Sequence, residues 1–500
     1  MQPVTLKSNM IKLLKYYFFL IILIPLLNGC GGKPDDNISE INRLPVICPD
    51  YSGITIPSNI APLNFNVKEA GSAYFVEITS GTGPGIRIKS GNSLIRIPRK
   101  KWKSLLQTDD LKDLNIDVYV KTREGVWNKF ETIANRIAPE PIDTYLSYRL
   151  IYPGYESWAE LSIQQRNLEN FNEKPVIKNS IADDNCVNCH SFNNGKSGDF
   201  LFHMRGSLGG TYFYSGQGLK KINLKTREMK NGAVYPRWHP SGKFVAFSSN
   251  KIVQQFHSAD NKKIEVSDLE SSLVLYDVGK NEMMDIPLPD KVKHMDTYPE
   301  WSPDGQFLYF CRAQQIGEVY DYRQIRYNLW RVAFNPETRR FGEAELIFDA
   351  SKEGKSISFP RISPDGRFLV MTKQDWGCFP IWHKETDLYS LDLETLIAER
   401  LELNSDFTDS YHSWSSNGRW LVFSSRRDDG LTTRLYISYI DDNGKSGKPF
   451  ILPQRDPRFY DRFLKSYNVP EFSQTIIDPI PGKIRKISKS GAIQAKWSSN

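Results

Sequence analysis

One nine-residue pattern occurs four times between residues 235 and 419 of this 500-residue sequence and constrains its fold more than any other feature. Each copy begins with an aromatic residue, ends in a turn such as Ser-Pro-Asp-Gly, and is followed at once by four apolar residues. Proline and aspartate favour such a turn, glycine takes its position of positive φ, and a strand buried on both faces accounts for the apolar run. The turn glycines are Gly242, Gly305, Gly366 and Gly418, which lie 63, 61 and 52 residues apart. Repeats of this length and strand content predict the blades of a β-propeller.

Further strands follow each copy of the pattern. One segment per repeat is rich in β-branched and aromatic residues, and Leu219–Met229 is typical of the outer hairpin of an earlier blade. We count five units and expect a sixth from flanking strands. The propeller is therefore predicted over residues 206–455, with five to six blades. The four later segments are Leu273–Tyr276, Asn328–Val332, Leu388–Leu391 and Leu435–Ser438.

The repeats resemble the TolB-like β-propellers of the bacterial envelope over roughly residues 199 to 455. This resemblance implies a fold that mostly binds partners, and it does not carry over the partner of TolB, which has a different N-terminal domain. Propellers of prolyl-oligopeptidase type precede an α/β-hydrolase domain. This sequence has no Gly-x-Ser-x-Gly, and only about 45 residues follow the last repeat, so we do not expect a serine peptidase.

A Cys-x-x-Cys-His motif lies ahead of the repeats, at residues 186–190. Two thiols three residues apart can each form a thioether with a vinyl group of haem, and the adjoining histidine then binds the iron. A disulfide or half of a zinc site is the alternative, but the sequence has no second Cys-x-x-Cys or His-x3–5-His to complete a zinc site. The motif predicts one covalent haem c on Cys186 and Cys189, with His190 as the proximal ligand, in a short helical segment over residues 152–205.

The second axial ligand of such a haem decides its chemistry. His203 and Met204 lie 13 and 14 residues after His190. Adjacent residues of a strand point to opposite faces, so only one of them could reach the iron. His203 is favoured, Met204 is the alternative if it is not core packing, and an open site or a distant ligand is the third option. A His/Met pair would raise the reduction potential relative to His/His, and an open site would permit ligand binding. Arg205 is a candidate partner for a haem propionate.

The N-terminus predicts export and a lipid anchor. Three lysines precede a twelve-residue apolar run, Tyr16 to Leu27, which is too short to span a bilayer but normal for a signal peptide. The run ends in Leu-Asn-Gly-Cys, which resembles the lipobox of bacterial lipoproteins. The resemblance implies a lipidated Cys30 in the envelope of a Gram-negative-type bacterium, on the periplasmic or cell-surface side. Covalent haem attachment also takes place outside the cytoplasm, so the two motifs support each other.

Alternation and composition complete the domain plan, which is mainly β. Segments such as Ala73–Ile78 and Ile86–Lys89 alternate with period two and predict a β-sandwich-like domain. Trp158, Leu161, Ile163 and Leu168 instead fit a helix that runs toward the haem motif. The predicted parts are a signal peptide over 1–29, a polar tether over 30–44, the β-sandwich-like domain over 45–151, the haem segment over 152–205, the propeller over 206–455 and a basic tail over 456–500.

The remaining composition sets limits on partners. The net charge of +7 is spread along the sequence and supports no nucleic-acid partner. Cys48, Cys311 and Cys378 remain once Cys30, Cys186 and Cys189 are assigned, so at most one disulfide could form among them, and we expect none. Long loops of the repeats are expected on one rim of the propeller, where they form either a partner surface or solvated loops. They carry His257, Tyr320, Tyr322, Trp376, Trp382, His383, Arg426 and Arg427.

These patterns favour a lipid-anchored monohaem c-type cytochrome whose propeller is a platform for a redox or other envelope partner. A haem motif ahead of a TolB-like propeller looks like the cytochrome-bearing variety of envelope lipoprotein. The alternative is a non-enzymatic envelope scaffold that binds protein or glycan through its propeller, with haem structural or absent. An oxidoreductase with an open haem site is a third hypothesis, but no acid–base constellation in the sequence supports it.

Overall fold

The computed structural model describes residues 33–34, 37–107, 113–153, 160–215, 218–257, 264–317, 319–477 and 481–498. The predicted signal peptide, the lipidation site Cys30 and Trp158 lie outside these residues. Within them, no helix is both long and apolar enough to cross a membrane. The cysteines of these ranges are unpaired, and they are Cys48, Cys186, Cys189, Cys311 and Cys378.

The N-terminal domain is built from two β-sheets that share one apolar core, which confirms the β-sandwich-like prediction. Its elements are β1 Ile38–Ile41, β2 Ile47–Cys48, β3 Thr55–Pro57, β4 Phe65–Val67, β5 Ala73–Thr79, β6 Ile86–Ser90, β7 Leu94–Ile95, the helix α1 Arg99–Leu106, β8 Asp113–Lys121, β9 Trp127–Phe130 and β10 Ile133–Ala138. One sheet has the order β1-β9-β8-β10-β3, with β5 and β6 joined through β8, and the other has the order β2-β4-β7.

The predicted polar tether over 30–44 is wrong for its second half. Strand β1 pairs in parallel with β9, with Ile38 opposite Trp127 and Ile41 opposite Phe130. The side chains of this strand are mostly exposed, so it contributes little apolar burial. Backbone hydrogen bonding to a sheet edge does not depend on the side chains, and this is why a polar stretch could join the sheet.

The rest of the described chain is a series of four-stranded sheets with short edge additions. The elements are β11 Tyr145–Ile151, β12 Ser162–Asn167, β13 Glu173–Lys178, β14 Cys186–Asn193, β15 Lys196–Arg205, β16 Gly210–Ser215, β17 Gly218–Asn223, β18 Ala233–Trp238, β19 Phe244–Phe256, β20 Ile264–Asp277, β21 Glu282–Asp285, β22 His294–Trp301, β23 Phe307–Gln314, β24 Asn328–Asn335, β25 Arg340–Phe348, β26 Ser356–Ile362, β27 Phe368–Gln374, β28 Asp387–Asp392, β29 Ala398–Arg400, β30 Asp409–Trp414, β31 Trp420–Ser425, β32 Arg434–Tyr439, β33 Phe450–Ile451, β34 Ser466–Ser473, the helix α2 Pro481–Ser488, β35 Ile493–Gln494 and β36 Lys496–Trp497. Short 3-10 turns occur at Asn179–Ile181, Lys291–Lys293, Val319–Gln324, Ala350–Glu353, Pro380–Trp382 and Phe459–Asp461.

These sheets are the six blades of a β-propeller. Blade 1 is β14 to β17 with β35 at its edge, and blade 2 is β18 to β21 with β36 at its edge. Blades 3, 4 and 5 are β22 to β25, β26 to β29 and β30 to β33, and blade 6 has the order β34-β11-β12-β13. The innermost strands contact one another in cyclic order, β14 against β18 and finally β34 against β14. The propeller is confirmed, and so is a sixth blade made from flanking strands.

Blade 6 closes the ring with strands from two distant parts of the chain. The innermost strand β34 pairs with β11, with Leu146 opposite Phe472. Residues 145–178 therefore belong to the propeller, and neither the predicted boundary at 151 nor a separate haem segment over 152–205 is observed. Cys186 begins the innermost strand of blade 1.

The predicted helix toward the haem motif is wrong where the structure describes it. Leu161, Ile163 and Leu168 are buried as expected, but β12 lies between β11 and β13 in blade 6. Leu161 and Ile163 are two residues apart, a spacing that fits a strand as well as a helix. Pairing on both sides decided between the two, as tertiary context commonly does.

The repeated turns lie against the neighbouring blade, and their glycines have positive φ. Gly305 has φ +73°, and its carbonyl oxygen lies 3.0 Å from Nε2 of His239 in the preceding blade. Asp304 Oδ1 accepts a 3.0 Å hydrogen bond from the backbone N–H of Gln306. The apolar runs after the turns are buried central strands, because neighbouring blades cover both of their faces.

Candidate functional site

The innermost strand of every blade contains the same irregularity. Its pairing with the neighbouring strand shifts register, and one residue that is not glycine has a positive φ between 48° and 52°. Such residues are strained and persist only where the surrounding structure holds them. Their recurrence in all six blades makes this bulge part of the blade architecture. The residues, in the order of the blades, are Cys189, Tyr235, Tyr298, Phe359, Tyr411 and Val469.

These bulges surround a cavity on the propeller axis, which we call the axial cavity. All six innermost strands contribute to its lining, and its empty volume is about 1250 Å³ including the part open to solvent. Cys186, Cys189 and His190 line it from blade 1. The three residues of the Cys-x-x-Cys-His motif are therefore brought together at a concave site.

Four aromatic rings at the bulges of blades 2 to 5 form one wall of the axial cavity. Ring centroids are 4.6 Å apart between Tyr235 and Tyr298, 4.2 Å between Tyr298 and Phe359, and 4.9 Å between Phe359 and Tyr411. The first two pairs are tilted and the third is edge-to-face, and together the four rings present a broad apolar surface. Such a surface can pack against an apolar or conjugated ligand.

The imidazole of His190 has the environment that a metal-binding histidine needs. Its ring is buried, a backbone hydrogen bond with Val469 holds it, and Nε2 has no partner among the described residues. Burial and, to a smaller extent, the nearby Arg149 guanidinium lower the pKa of His190 to about 3, so the ring is neutral at neutral pH. Axial histidines are neutral and use their second nitrogen for a carbonyl or carboxylate.

The two motif cysteines are half-buried and lie beside cationic groups. Asn188, between them, accepts hydrogen bonds from the backbone N–H of Cys189 at 2.9 Å and from the guanidinium of Arg149. Cys186 pairs across the sheet with Arg205. Burial raises the pKa of the Cys186 thiol, and Arg149 and Arg205 oppose that rise. The arrangement leaves two unpaired thiols at the wall of the axial cavity, next to His190.

His203 and Met204 point to opposite faces of β15, as a strand requires, but neither lines the axial cavity. Nδ1 of His203 lies 2.8 Å from the Thr211 hydroxyl, and its ring packs 5.8 Å from that of Phe247 in blade 2. Met204 is buried in the core of blade 1, with the Tyr212 hydroxyl 3.6 Å from its sulfur. The structure does not bring either residue together with His190, and the choice of second ligand stays a prediction.

An ionic network crosses the axis below the axial cavity. Oε2 of Glu300 lies 2.5 Å from Nε of Arg237 and 3.3 Å from Nη1 of Arg361. Nη1 of Arg237 also lies 3.9 Å from Oε1 of Glu471. Burial raises the pKa of Glu471 to about 7, while Arg237 opposes the rise. All four side chains line a second cavity of about 1110 Å³, and three of them, Arg237, Arg361 and Glu471, also line the axial cavity. The network thus divides the propeller axis in two.

Sequence reasoning missed this network, although one position of the repeat signals it. Arg237, Glu300 and Arg361 each follow the proline of an aromatic-proline pair, so charges of alternating sign occupy one repeat position. Sequence reasoning also missed His412. That residue is buried, lines the axial cavity, and occupies the proline position of the same pair in blade 5.

The predicted rim loops are partly assembled at the mouth of the axial cavity. Trp382 lines the cavity, and the guanidinium of Arg426 lies 5.3 Å from its ring. The ring centroid of Trp376 lies 5.1 Å from that of His383 and 6.5 Å from that of Tyr322. Arg427 instead packs within blade 5, where it pairs with Asp409 at 2.9 Å, and His257 lies near the end of β19. The side chain of Tyr320 is outside the described part of the structure.

The residues at the axial cavity can be compared with the groups that bind a haem. In the described ranges, no group of three or more His, Cys, Asp or Glu residues is arranged to hold a metal ion alone. Haem c requires two thiols for its vinyl groups and an axial nitrogen for its iron. The unpaired thiols of Cys186 and Cys189, the unpartnered Nε2 of His190 and the aromatic wall fit that group.

Comparisons with known proteins agree with the architecture. The family model that matches is described as the prolyl oligopeptidase N-terminal beta-propeller domain, and it matches residues 237–468. No curated protein matches the sequence significantly.

Among solved structures, the oligogalacturonate lyase of Vibrio parahaemolyticus is 13% identical with a TM-score of 0.35, over 75% of this chain and 100% of that chain. Prolyl oligopeptidase B of Galerina marginata is 10% identical with a TM-score of 0.35, over 67% of this chain and 42% of that chain. These likenesses are too distant to carry an argument about function. The chain is a mainly β protein with a propeller of the type that the matched family model describes.

Proposed function

We propose that this chain is a monohaem c-type cytochrome of the bacterial cell envelope, anchored by lipid on Cys30, that carries its haem in the axial cavity of the propeller. It would exchange single electrons with a protein partner docked at the mouth of that cavity. The observation that carries the proposal is the meeting of Cys186, Cys189 and His190 at one cavity wall, with Nε2 of His190 buried and unpartnered. Haem c, when bound, supplies a one-electron couple.

Different residues at the axial cavity would bind different parts of the haem. Cys186 and Cys189 would hold the porphyrin through thioethers, and His190 would hold the iron. The aromatic wall would exclude water from the macrocycle and lower the local dielectric constant, which affects the reduction potential. Arg149 and Arg205, which flank the motif, would bring positive charge to the thioether edge of the macrocycle.

Covalent haem attachment tests the proposal directly. The full-length chain is produced in a bacterial strain that matures c-type cytochromes, and haem is detected on a denaturing gel and quantified from its alkaline pyridine spectrum. We expect one haem per chain in the wild type. The double variant Cys186→Ser/Cys189→Ser should carry none, while Cys311→Ser, which changes a buried cysteine of blade 3, should carry one. Absence of covalent haem from the wild type would leave the scaffold hypothesis in its place.

The envelope location has a separate test. The variant Cys30→Ser removes the predicted lipidation site and should move the protein from the membrane fraction to the soluble fraction of the envelope, with its haem content unchanged. Two acyl chains or more are needed for firm anchoring, so loss of the modified cysteine should abolish binding. A variant that stays with the membrane would show that another part of the protein holds it there.

A further inference from the structure

The position after the bulge residue is proline in four blades and histidine in two. The residues are, in blade order, His190, Pro236, Pro299, Pro360, His412 and Pro470. Proline is the ordinary choice here, because the position needs no backbone N–H for its shifted pairing. The two histidines depart from that pattern in blades 1 and 5, on either side of blade 6, and both line the axial cavity.

The two imidazoles also share a hydrogen-bonding pattern. Nε2 of His412 lies 2.8 Å from the carbonyl oxygen of Val370 in blade 4, and Nδ1 is buried with no partner in the described ranges. His190 likewise has one backbone hydrogen bond, with Val469, and one buried unpartnered nitrogen. One nitrogen held by a carbonyl and one left over is the arrangement that metal-binding histidines show.

The other buried histidines of the propeller either have partners at both ring nitrogens or lie outside the axial cavity. Both nitrogens of His239 are occupied, by Ser241 and by the carbonyl oxygen of Gly305. His383 lies between Glu265 and Glu385. His203 has an unpartnered nitrogen, but it lies between blades 1 and 2 and outside the axial cavity.

We propose that His412 is the second axial ligand of the haem whose first ligand is His190. This inference rests on the proposed function and replaces His203 and Met204 as candidates. It makes the haem a six-coordinate bis-histidine centre. Such a centre exchanges electrons and leaves no position on the iron for a substrate, and its reduction potential is lower than that of a His/Met centre.

The test is the coordination state of the purified full-length holo-protein, followed by visible absorption and electron paramagnetic resonance. We expect a low-spin ferric wild type whose reduced form does not bind carbon monoxide. The variant His412→Ala should be high-spin and bind carbon monoxide, and added imidazole should restore the low-spin spectrum. Haem content, measured separately, should equal that of the wild type, because Cys186, Cys189 and His190 are intact.

Two further variants separate the competing ligands. His203→Ala and Met204→Leu should remain low-spin and closed to carbon monoxide. A high-spin wild type, a low-spin His412→Ala variant, or a low-spin state lost in His203→Ala or Met204→Leu would each overturn the assignment. Should His412→Ala not fold, His412→Met keeps an axial donor and should stay low-spin with a raised potential, and an unchanged potential would contradict the proposal. A protein without covalent haem would instead refute the proposed function, so the two failures are distinguishable.

Discussion

The indole Nε1 of Trp301 in blade 3 donates a 3.2 Å hydrogen bond to the carbonyl oxygen of Arg237 in blade 2. The same bond joins Trp238 to Ser191 at 3.2 Å and Trp414 to Arg361 at 3.0 Å. Each acceptor lies two residues after a bulge residue of positive φ. The strained bulge therefore offers one carbonyl to the following blade, and the tryptophan of the repeat satisfies it.

Loss of such a bond between blades should cost more than loss of indole area alone. Trp301→Phe leaves the buried Arg237 carbonyl without its donor, at about 1–3 kcal/mol, in addition to the effect of a smaller ring. The control is Trp330→Phe, because Trp330 makes no such bond among the described residues. Urea unfolding should show Trp301→Phe less stable than Trp330→Phe by about that amount. Equal losses would mean that the bond contributes nothing measurable.

The turn glycine Gly305 should tolerate a methyl group less well than a glycine of positive φ that has open space around it. A Cβ on Gly305 would lie 2.4 Å from Nε2 of His239, whereas Gly354 has a similar φ of +68° and nothing within 4 Å. Gly354→Ala should cost about 1–2 kcal/mol from backbone strain. Gly305→Ala should cost clearly more, since it also displaces His239 from its hydrogen bond. Thermal unfolding of the two variants compares the two effects.

The ionic network should be intolerant of removing one partner. Glu300→Gln leaves Arg237 and Arg361 buried with one fewer negative charge, which should destabilise the protein by about 3–5 kcal/mol. Asp387→Asn breaks a 2.6 Å pair with the exposed Arg400 and should cost no more than about 1 kcal/mol. Denaturant unfolding of both variants at one salt concentration is the measurement. Similar losses would show that burial of the network has no energetic consequence.

Acid should destabilise the protein through His203. Burial and, to a smaller extent, the charge of Arg205 lower its pKa from 6.5 to about 3. Below pH 6.5 the imidazole of His203 is protonated in the unfolded chain but not in the folded chain. Protonation therefore favours the unfolded state, and the free energy of unfolding falls as the pH drops from 6.5 toward 3. Between pH 6.5 and 5 the loss is about 2 kcal/mol. His203→Gln should flatten the pH dependence of the unfolding free energy by that amount, and a parallel curve would contradict the assignment.

Arg149 should tune the potential of the proposed haem. Its guanidinium lies at the Cys-x-x-Cys-His motif and lines the axial cavity. Removing a positive charge favours the oxidised iron, so Arg149→Gln should lower the midpoint potential by an amount on the order of tens of millivolts. Spectroelectrochemical titration measures the shift, and Lys448→Gln, at the distant pair with Asp50, is the control. A raised midpoint potential in Arg149→Gln would contradict the proposed position of this charge beside the haem.

The propeller was predictable because its repeat is local. Turn residues such as Gly305 and the apolar run after them are adjacent in sequence, and both signals have direct conformational meaning. The closure of blade 6 was not predictable in detail. Leu146 and Phe472 are far apart in sequence, and nothing in either segment specifies the other as its partner.

The site was predictable in part for the same reason. Cys186, Cys189 and His190 form a contiguous motif, and they meet at the axial cavity. His412 was missed because its meaning appears only when the six bulges are aligned in space, where it and His190 occupy equivalent positions. His203 was favoured on sequence distance alone, and a strand can direct a nearby side chain away from its neighbour's cavity.

The origin of β34 has a consequence for the order of assembly. Val469 and Glu471, on the strand that completes the ring, stand against the motif of blade 1, where Glu471 accepts a 3.0 Å hydrogen bond from the Phe192 N–H. Under the proposed function, the wall beside His190 would be incomplete until residues 466–473 had also been exported. A haem joined to Cys186 and Cys189 before that point would meet an open ring, and the strand β34 would then enclose it.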